Sequence, residues 1–130
     1  MNSGQSLKRA IVVTDDEDLV REEISSVLRK AGFEIISTPN GADALDLGRS
    51  NRQVDLAVID TSVVKANPPE VAECVQEISP RVLFLSDDET ESVPTVSSGH
   101  VSEVLPKPFR RAQLLGRVLE IMDRPLVLTA

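Results

Sequence analysis

Residues 10–17 read Ala-Ile-Val-Val-Thr-Asp-Asp-Glu, a short apolar run that ends abruptly in three acidic residues. The uninterrupted apolar run from Ala10 to Val13 is typical of a strand that is buried on both faces of a parallel sheet. Apolar residues then recur at helical spacing, at Leu19, Val20, Ile24, Val27, Leu28 and Ala31. Gly32 follows as a helix stop. This stretch is therefore predicted to be a strand, an acidic turn and a helix.

The alternation of strand and helix continues along the rest of the chain. Further runs rich in Val, Ile and Leu are predicted to be buried strands, at Glu34–Ser37, Leu56–Ile59, Val82–Leu85 and Val101–Leu105. Further helices are predicted at about 41–49, 69–78, 90–99 and 111–122. The inward face of the last helix is predicted to be Leu114, Leu115, Val118, Leu119 and Met122. The helix at 90–99 is expected to be short, because Pro94 and three serines disfavour it. Five such units predict an α/β fold with a doubly wound, five-stranded parallel sheet.

Length and composition are those of one domain. The chain has 130 residues, of which 41% are hydrophobic and 27% are charged. We expect a single globular domain over residues 1–130, with a core at about 9–122 and tails at 1–8 and 123–130. No apolar run approaches the roughly 18 residues of a membrane span, and the N-terminus lacks the apolar core of a signal peptide. The expectation is a cytoplasmic protein with no membrane association.

Charge and residue usage exclude some classes of function. The net charge of −7 argues against direct nucleic-acid binding, and three Phe without Tyr or Trp offer no stacking platform for bases. Cys74 is the single cysteine, so we expect a small buried apolar side chain and no disulfide within the chain. His100 is the single histidine and is expected in a surface loop.

Reactive side chains follow four of the predicted strands. Asp15 and Asp16 follow the first strand, Asp60 the third, Ser86 the fourth and Lys107 the fifth. Ligands of open parallel sheets bind at the carboxyl ends of the strands. Three carboxylates, one hydroxyl and one amine are therefore expected to converge at one edge of the sheet.

The segments that carry these residues resemble the receiver domains of response regulators. They are Ile11–Glu17, Val58–Asp60, Leu83–Ser86 and Leu105–Phe109. The resemblance covers about Arg9 to Met122, nearly the whole chain, and its motifs stand in the right order. It implies the flavodoxin-like receiver fold, with strand order 2-1-3-4-5. The stretch from Gly99 to Met122 looks most like receiver domains attached to hybrid histidine kinases.

The resemblance implies a Mg²⁺ site among the acidic residues. Asp16 matches the direct metal ligand, and Asp15 beside it either binds the metal or holds a metal-bound water. Asp60 and the backbone carbonyl of Ser62 match further ligands. The charges agree with this assignment, because Asp15, Asp16 and Asp60 place about −3 in a small volume. A hard divalent cation together with Lys107 brings that sum to about zero.

The resemblance also implies phosphoryl chemistry. Asp60 matches the residue that accepts a phosphoryl group from a histidine kinase or a histidine phosphotransfer protein. Ser86 matches the switch hydroxyl and Lys107 the amine that pairs with the phosphoryl group, while Pro108 matches a proline that follows a cis peptide bond.

Val104 stands where the family often has an aromatic residue, so the response must be a backbone or loop movement. The chain would catalyse only its own phosphorylation and dephosphorylation, and would thereby switch a face that binds a downstream protein target. A homodimer through the last helices is left open.

Two departures from the family pattern support an alternative function. The loop Thr61–Pro69 has neither a Pro nor a Gly at the places, soon after the acceptor, where the family usually has them, and it is several residues short. Asp87 follows Ser86 where a small residue is usual. The alternative is a pseudo-receiver, an interaction module that keeps the fold and takes no phosphate. A flavodoxin-type flavin domain is disfavoured, because acidic residues replace a phosphate-binding loop after the first strand. A phosphatase with an Asp-x-Asp nucleophile is disfavoured, because Ser62 stands two residues after Asp60.

Overall fold

The structure contains the five strands and the first and last helices that the sequence predicts. The computed structural model describes residues 10–15, 17–39, 43, 46, 54–66, 79, 81–87 and 101–124. Its elements are β1 (Ala10–Thr14), α1 (Asp18–Lys30), β2 (Glu34–Thr38), β3 (Leu56–Asp60), α2 (Thr61–Ala66), β4 (Arg81–Ser86), β5 (Val101–Pro106) and α3 (Arg111–Asp123). Asp43 and Asp46, within the helix predicted at 41–49, are helical. The rest of that helix, the helices predicted at 69–78 and 90–99, Cys74, His100, and the tails at 1–8 and 125–130 lie outside the described residues.

The five strands form one parallel sheet in the order β2-β1-β3-β4-β5, which confirms the predicted topology. The central strands β1, β3 and β4 are almost wholly buried. The prediction of a buried strand is wrong for the two outer strands, since only Thr38 is buried in β2 and only Val101 and Leu105 are buried in β5. The reason is that, within the part of the chain that the structure describes, each of them has a neighbouring strand on one side only.

Alternate residues of each central strand point to opposite faces of the sheet, and both faces are covered. One core cluster joins one face to the helices α1 and α3. Its buried members are Ile11, Val13, Ile24, Leu28, Leu56, Val58, Leu83, Leu85, Val101, Leu105, Leu114, Val118, Ile121 and Met122. The second cluster lies on the other face and comprises Val12, Val54, Ala57, Ile59, Val63, Val82 and Phe84. This two-sided burial explains why the strands are continuously apolar.

The predicted inward faces of the two long helices include exposed residues. In α1, Leu19 is 86% exposed, and Ala31, which lies just past the end of the helix, is also exposed. In α3, Leu119 is 50% exposed. Successive residues turn by about 100° around a helix, so Leu19 lies about 180° from the buried Leu28. The prediction for α3 also omitted Ile121, which is fully buried and lies only about 20° from Leu114 around that helix.

One prediction about the segments that follow the helices and strands is confirmed, and another is wrong. Gly32 ends α1 with a φ of +102°, a conformation that favours glycine, so its predicted role as a helix stop is confirmed. The segment after Asp60 was expected to be a loop, yet Thr61 to Ala66 form the short helix α2. Within the part of the chain that the structure describes, none of the helices has the length and apolarity needed to cross a membrane.

Hydrogen bonds from arginine side chains connect the last helix to the sheet. The Arg81 side chain of β4 donates to the backbone oxygens of Ile121 and Arg124, at 3.1 and 2.9 Å, and so occupies carbonyls at the end of α3. On the edge strand β5, the Glu103 carboxylate accepts hydrogen bonds from Arg117 and Arg124, at 2.8 and 2.9 Å. These contacts fix α3 against β4 and β5.

Candidate functional site

Asp15 follows β1 directly, and its carboxylate and backbone are held from several directions. The residue is fully buried. Its Oδ1 accepts a hydrogen bond from the backbone N–H of Glu17 at 2.9 Å, and its backbone oxygen accepts one from Arg21 at 2.8 Å. Its backbone N–H donates to the backbone oxygen of Thr38 at 3.4 Å. The remaining carboxylate oxygen, Oδ2, lies 3.7 Å from the ammonium of Lys107.

Asp60 closes β3 and points to the same ammonium group. Only 2% of the residue is exposed. Its Oδ1 accepts a hydrogen bond from the backbone N–H of Ser62 at 2.8 Å, a contact that the start of α2 makes possible. Its Oδ2 accepts a hydrogen bond from the Lys107 ammonium. Two carboxylates that are 45 residues apart in the sequence therefore share one cation.

Ser86 ends β4, and Lys107 directly follows β5. Ser86, the last residue of β4, is fully buried, and its backbone oxygen accepts a hydrogen bond from the Lys107 backbone N–H at 2.7 Å. The Lys107–Pro108 peptide bond is cis, which confirms the expectation for Pro108. The side chain of Lys107 is 14% exposed, so its charge is only partly reached by water.

Charge pairing sets the protonation states at the site. Burial raises the pKa of Asp60, but the hydrogen bonds from Lys107 and Ser62 outweigh it and hold that pKa below its usual value of 3.8. Burial lowers the pKa of Lys107, but the attraction of Asp60, Asp15 and Asp87 outweighs it and raises that pKa above 10.5. Asp60 is therefore an ionised carboxylate at neutral pH, which is the form a nucleophile requires.

The donor groups fit a hard divalent cation. Asp15 and Asp60 offer carboxylate oxygens, and Ser62, whose backbone oxygen is a further candidate, adjoins Asp60. The predicted ligand Asp16 lies outside the described residues. Among the residues that the structure describes, no group of three or more His, Cys, Asp or Glu side chains is close enough to hold a metal. The charges of Asp15, Asp60 and Lys107 sum to −1, so positive charge is still favoured there.

Some residues that shape the site were missed from the sequence. The hydroxyls of Thr14 and Thr38 lie 2.5 Å apart and join the ends of β1 and β2 inside the protein. Arg21 binds the backbone of Asp15 from the first turns of α1. A polar residue at the end of each of two predicted neighbouring strands could have indicated the threonine pair. The three-residue spacing from Asp18 to Arg21 could have indicated only their ion pair.

Comparisons with known proteins identify the family. A family model of the response regulator receiver domain matches residues 11–119. The response regulator MprA of Mycobacterium sp. strain KMS is 30% identical over 118 residues, which cover 88% of this chain and 50% of MprA. The chain therefore spans about half the length of the curated relatives it matches.

Solved structures of receiver domains are also similar to this chain. A response regulator receiver protein from Sinorhizobium medicae WSM419 matches with a TM-score of 0.70 and 28% identity, over 89% of this chain and 95% of that one. The receiver domain of the hybrid histidine kinase CckA matches with a TM-score of 0.69 and 27% identity, over 88% of this chain and 99% of that one.

Response regulators act in two-component signalling, where they interact with histidine kinases and with downstream targets. Their receiver domains are signalling proteins rather than conventional enzymes. The fold, the strand-end acidic residues beside a lysine, and the match of a family model to most of the sequence all agree. The chain belongs to the response regulator receiver-domain family.

Proposed function

We propose that Asp60 accepts a phosphoryl group from the phosphohistidine of a histidine kinase or histidine phosphotransfer protein. The observation that carries the proposal is the shared contact of Lys107 with the carboxylates of Asp60 and Asp15. That contact unites three strand ends in a buried pocket with an ionised nucleophile. The receiver core of residues 9–122 acts in the cytoplasm as one domain, and the chemistry is confined to its own phosphorylation and dephosphorylation.

In the proposed transfer, a carboxylate oxygen of Asp60 attacks phosphorus, a P–O bond forms, and the P–N bond to the donor imidazole breaks. The bonding electron pair returns to the imidazole nitrogen. Lys107 and the Ser86 hydroxyl would each stabilise one equatorial phosphoryl oxygen. Mg²⁺, held by Asp15, Asp16, Asp60 and the Ser62 carbonyl, would neutralise the charge of the phosphoryl group when bound. Positioning and charge neutralisation supply the catalysis.

The response to phosphorylation would pass through the backbone. The Lys107 N–H and the Ser86 oxygen are hydrogen-bonded, so a shift of Ser86 toward a phosphoryl group also pulls the start of the segment after β5. Val104 is half-buried against the second core cluster and has no ring that could change its orientation. The switched face, which would bind the downstream target, is therefore expected to respond by a loop movement.

The surface beside the site could receive the donor protein. A cavity of about 230 Å³ opens between α1 and the segment after β5. Val20, Pro108 and Phe109 line it together with Lys107 itself. An apolar side chain of the donor protein inserted there would contact Lys107, whose ammonium binds Asp60, and so would bring the phosphohistidine toward the acceptor.

The test is phosphorylation by acetyl phosphate with Mg²⁺, followed by intact mass. We expect the parent to gain one phosphoryl group, and the variant Asp60→Asn to gain none. Asp55→Asn is the matched control, because Asp55 lies just before the same strand at its opposite end, where it accepts a hydrogen bond from Ala10 at 2.8 Å. A gain in Asp60→Asn equal to that of the parent would contradict the choice of acceptor. Loss of the parent's gain in excess chelator is the expected sign of a metal requirement.

The second candidate is a pseudo-receiver that binds partners without taking phosphate. Asp87 favours it, because this exposed carboxylate is close enough to attract Lys107 and adds negative charge where an anionic donor must enter. A parent protein that gains no mass with acetyl phosphate or with a phosphorylated histidine kinase would support this candidate.

A further inference from the structure

Arg21 has no role in the chemistry described above, yet it holds the backbone of the acidic turn. Its side chain is 13% exposed and reaches back from α1 toward β1. One guanidinium nitrogen donates to the Asp15 backbone oxygen at 2.8 Å, and another donates to the Asp18 carboxylate at 2.6 Å. The guanidinium therefore bridges the last residue before the turn and the first residue of the helix.

The turn that this bridge spans also holds the Asp15 carboxylate. Asp15 Oδ1 accepts a hydrogen bond from the backbone N–H of Glu17, and Oδ2 lies 3.7 Å from the Lys107 ammonium. The Arg21–Asp18 ion pair alone contributes little stability, because the Asp18 side chain is 81% exposed. The hydrogen bond from a charged donor to a main-chain oxygen, in a half-buried position, is the stronger contact.

We propose that Arg21 is a positioning residue for the acidic site, which keeps Asp15 directed at Lys107 and Asp60. The inference rests on the proposed function for its metal-binding consequence. A positioning role and a purely electrostatic role of Arg21 predict opposite changes in the affinity for a divalent cation. Arg21 carries positive charge next to the site, so if only its charge mattered, its removal would tighten the binding of a divalent cation. Removal of a positioning contact would weaken that binding.

The experiment compares Arg21→Met with Arg29→Met. Both arginines lie on α1, and the control is exposed in its last turn, about 12 Å further along the helix axis. Binding of Mn²⁺ alone is measured from the electron paramagnetic resonance signal of the free ion. We expect about tenfold weaker binding in Arg21→Met and no change in Arg29→Met, with circular dichroism confirming that both fold. Arg21→Lys, which keeps the charge without the two-nitrogen fork, should also bind more weakly than the parent.

A second readout needs no metal. In excess chelator, the amide hydrogen of Glu17 should exchange several-fold faster in Arg21→Met than in the parent, because its acceptor Asp15 has lost the contact that holds its backbone oxygen. If Arg21→Met binds Mn²⁺ as tightly as the parent or more tightly, or leaves the Glu17 amide unchanged, the inference is overturned. If the parent itself binds no Mn²⁺, the proposed metal site fails, and the Glu17 amide alone decides whether Arg21 positions Asp15.

Discussion

Replacement of Lys107 by methionine tests whether the buried carboxylates depend on its charge. The substitution keeps an unbranched apolar stem and removes the ammonium that contacts both Asp60 and Asp15. Removing one partner of a buried ion pair typically costs 3–5 kcal/mol, because the other charge is left buried without compensation. Lys107 is slightly exposed, so solvent screening reduces the expected loss of unfolding free energy to about 3 kcal/mol at neutral pH.

The loss of unfolding free energy in Lys107→Met should become smaller as the pH falls. Without Lys107, Asp15 and Asp60 face each other, so one of them takes up a proton at a higher pH than in the unfolded chain. Between that raised pKa and 3.8 the folded variant binds more protons than its unfolded chain, so its unfolding free energy increases as the pH falls. In the parent the pKa of Asp60 is lowered, so its contribution is complete above 3.8 and is lost only below that value.

The measurement is urea unfolding followed by far-ultraviolet circular dichroism, since the chain has no Trp or Tyr to report by fluorescence. Parent and Lys107→Met are compared in excess chelator at about pH 7 and about pH 5. The difference between their unfolding free energies should be smaller at about pH 5 than at about pH 7, by about 1 kcal/mol. Lys30→Met, an exposed lysine in the last turn of α1, is the control and should match the parent at both values. Equal stability of Lys107→Met and parent at neutral pH would refute the reasoning.

Three further predictions concern single substitutions. Asp87→Asn should speed phosphorylation by acetyl phosphate about two- to fivefold at low salt, measured as the initial rate of mass gain, because it removes charge beside Lys107; an unchanged rate would remove Asp87 as a barrier. Leu28→Ala should lower the unfolding free energy by about 3 kcal/mol, and Leu19→Ala by less than about 0.5 kcal/mol, in urea titrations, since only the first is buried; similar losses would contradict the assigned helix face. Gly116→Ala should raise the melting temperature through a gain of about 1 kcal/mol, because the added methyl group meets no atom within 4 Å in the exposed middle of α3; a lower melting temperature would count against this.

The sequence predicted the site through the geometry of parallel strands. Asp60 and Ser86 were placed at strand ends because apolar runs stop there, and parallel strands bring such ends to one edge of the sheet. The contact of Lys107 with Asp60 and Asp15 agrees with that placement. The roles of these residues in phosphoryl transfer and metal binding stay predictions.

Local patterns could not give the details that depend on tertiary packing. The segment after Asp60 contains Thr61, Val63 and Val64, whose branched side chains disfavour helices, so α2 was not predicted. Its first turn is supported instead by the contact between the Ser62 backbone and the Asp60 carboxylate. The bond from Arg21 to a backbone oxygen leaves no residue pattern at all.

The outer strands of the sheet have a consequence for how copies of this protein meet. Among the residues that the structure describes, no strand pairs with the outer side of either one, and an unpaired strand edge can associate with the edge of another sheet. A glutamate stands on each of them, Glu34 on β2 and Glu103 on β5. On β5, however, Glu103 is already paired with Arg117 and Arg124. Extending the sheet with another copy at β2 would bring the exposed Glu34 toward a second negatively charged molecule. The charge on β2 therefore disfavours association of the folded protein through this strand at high concentration.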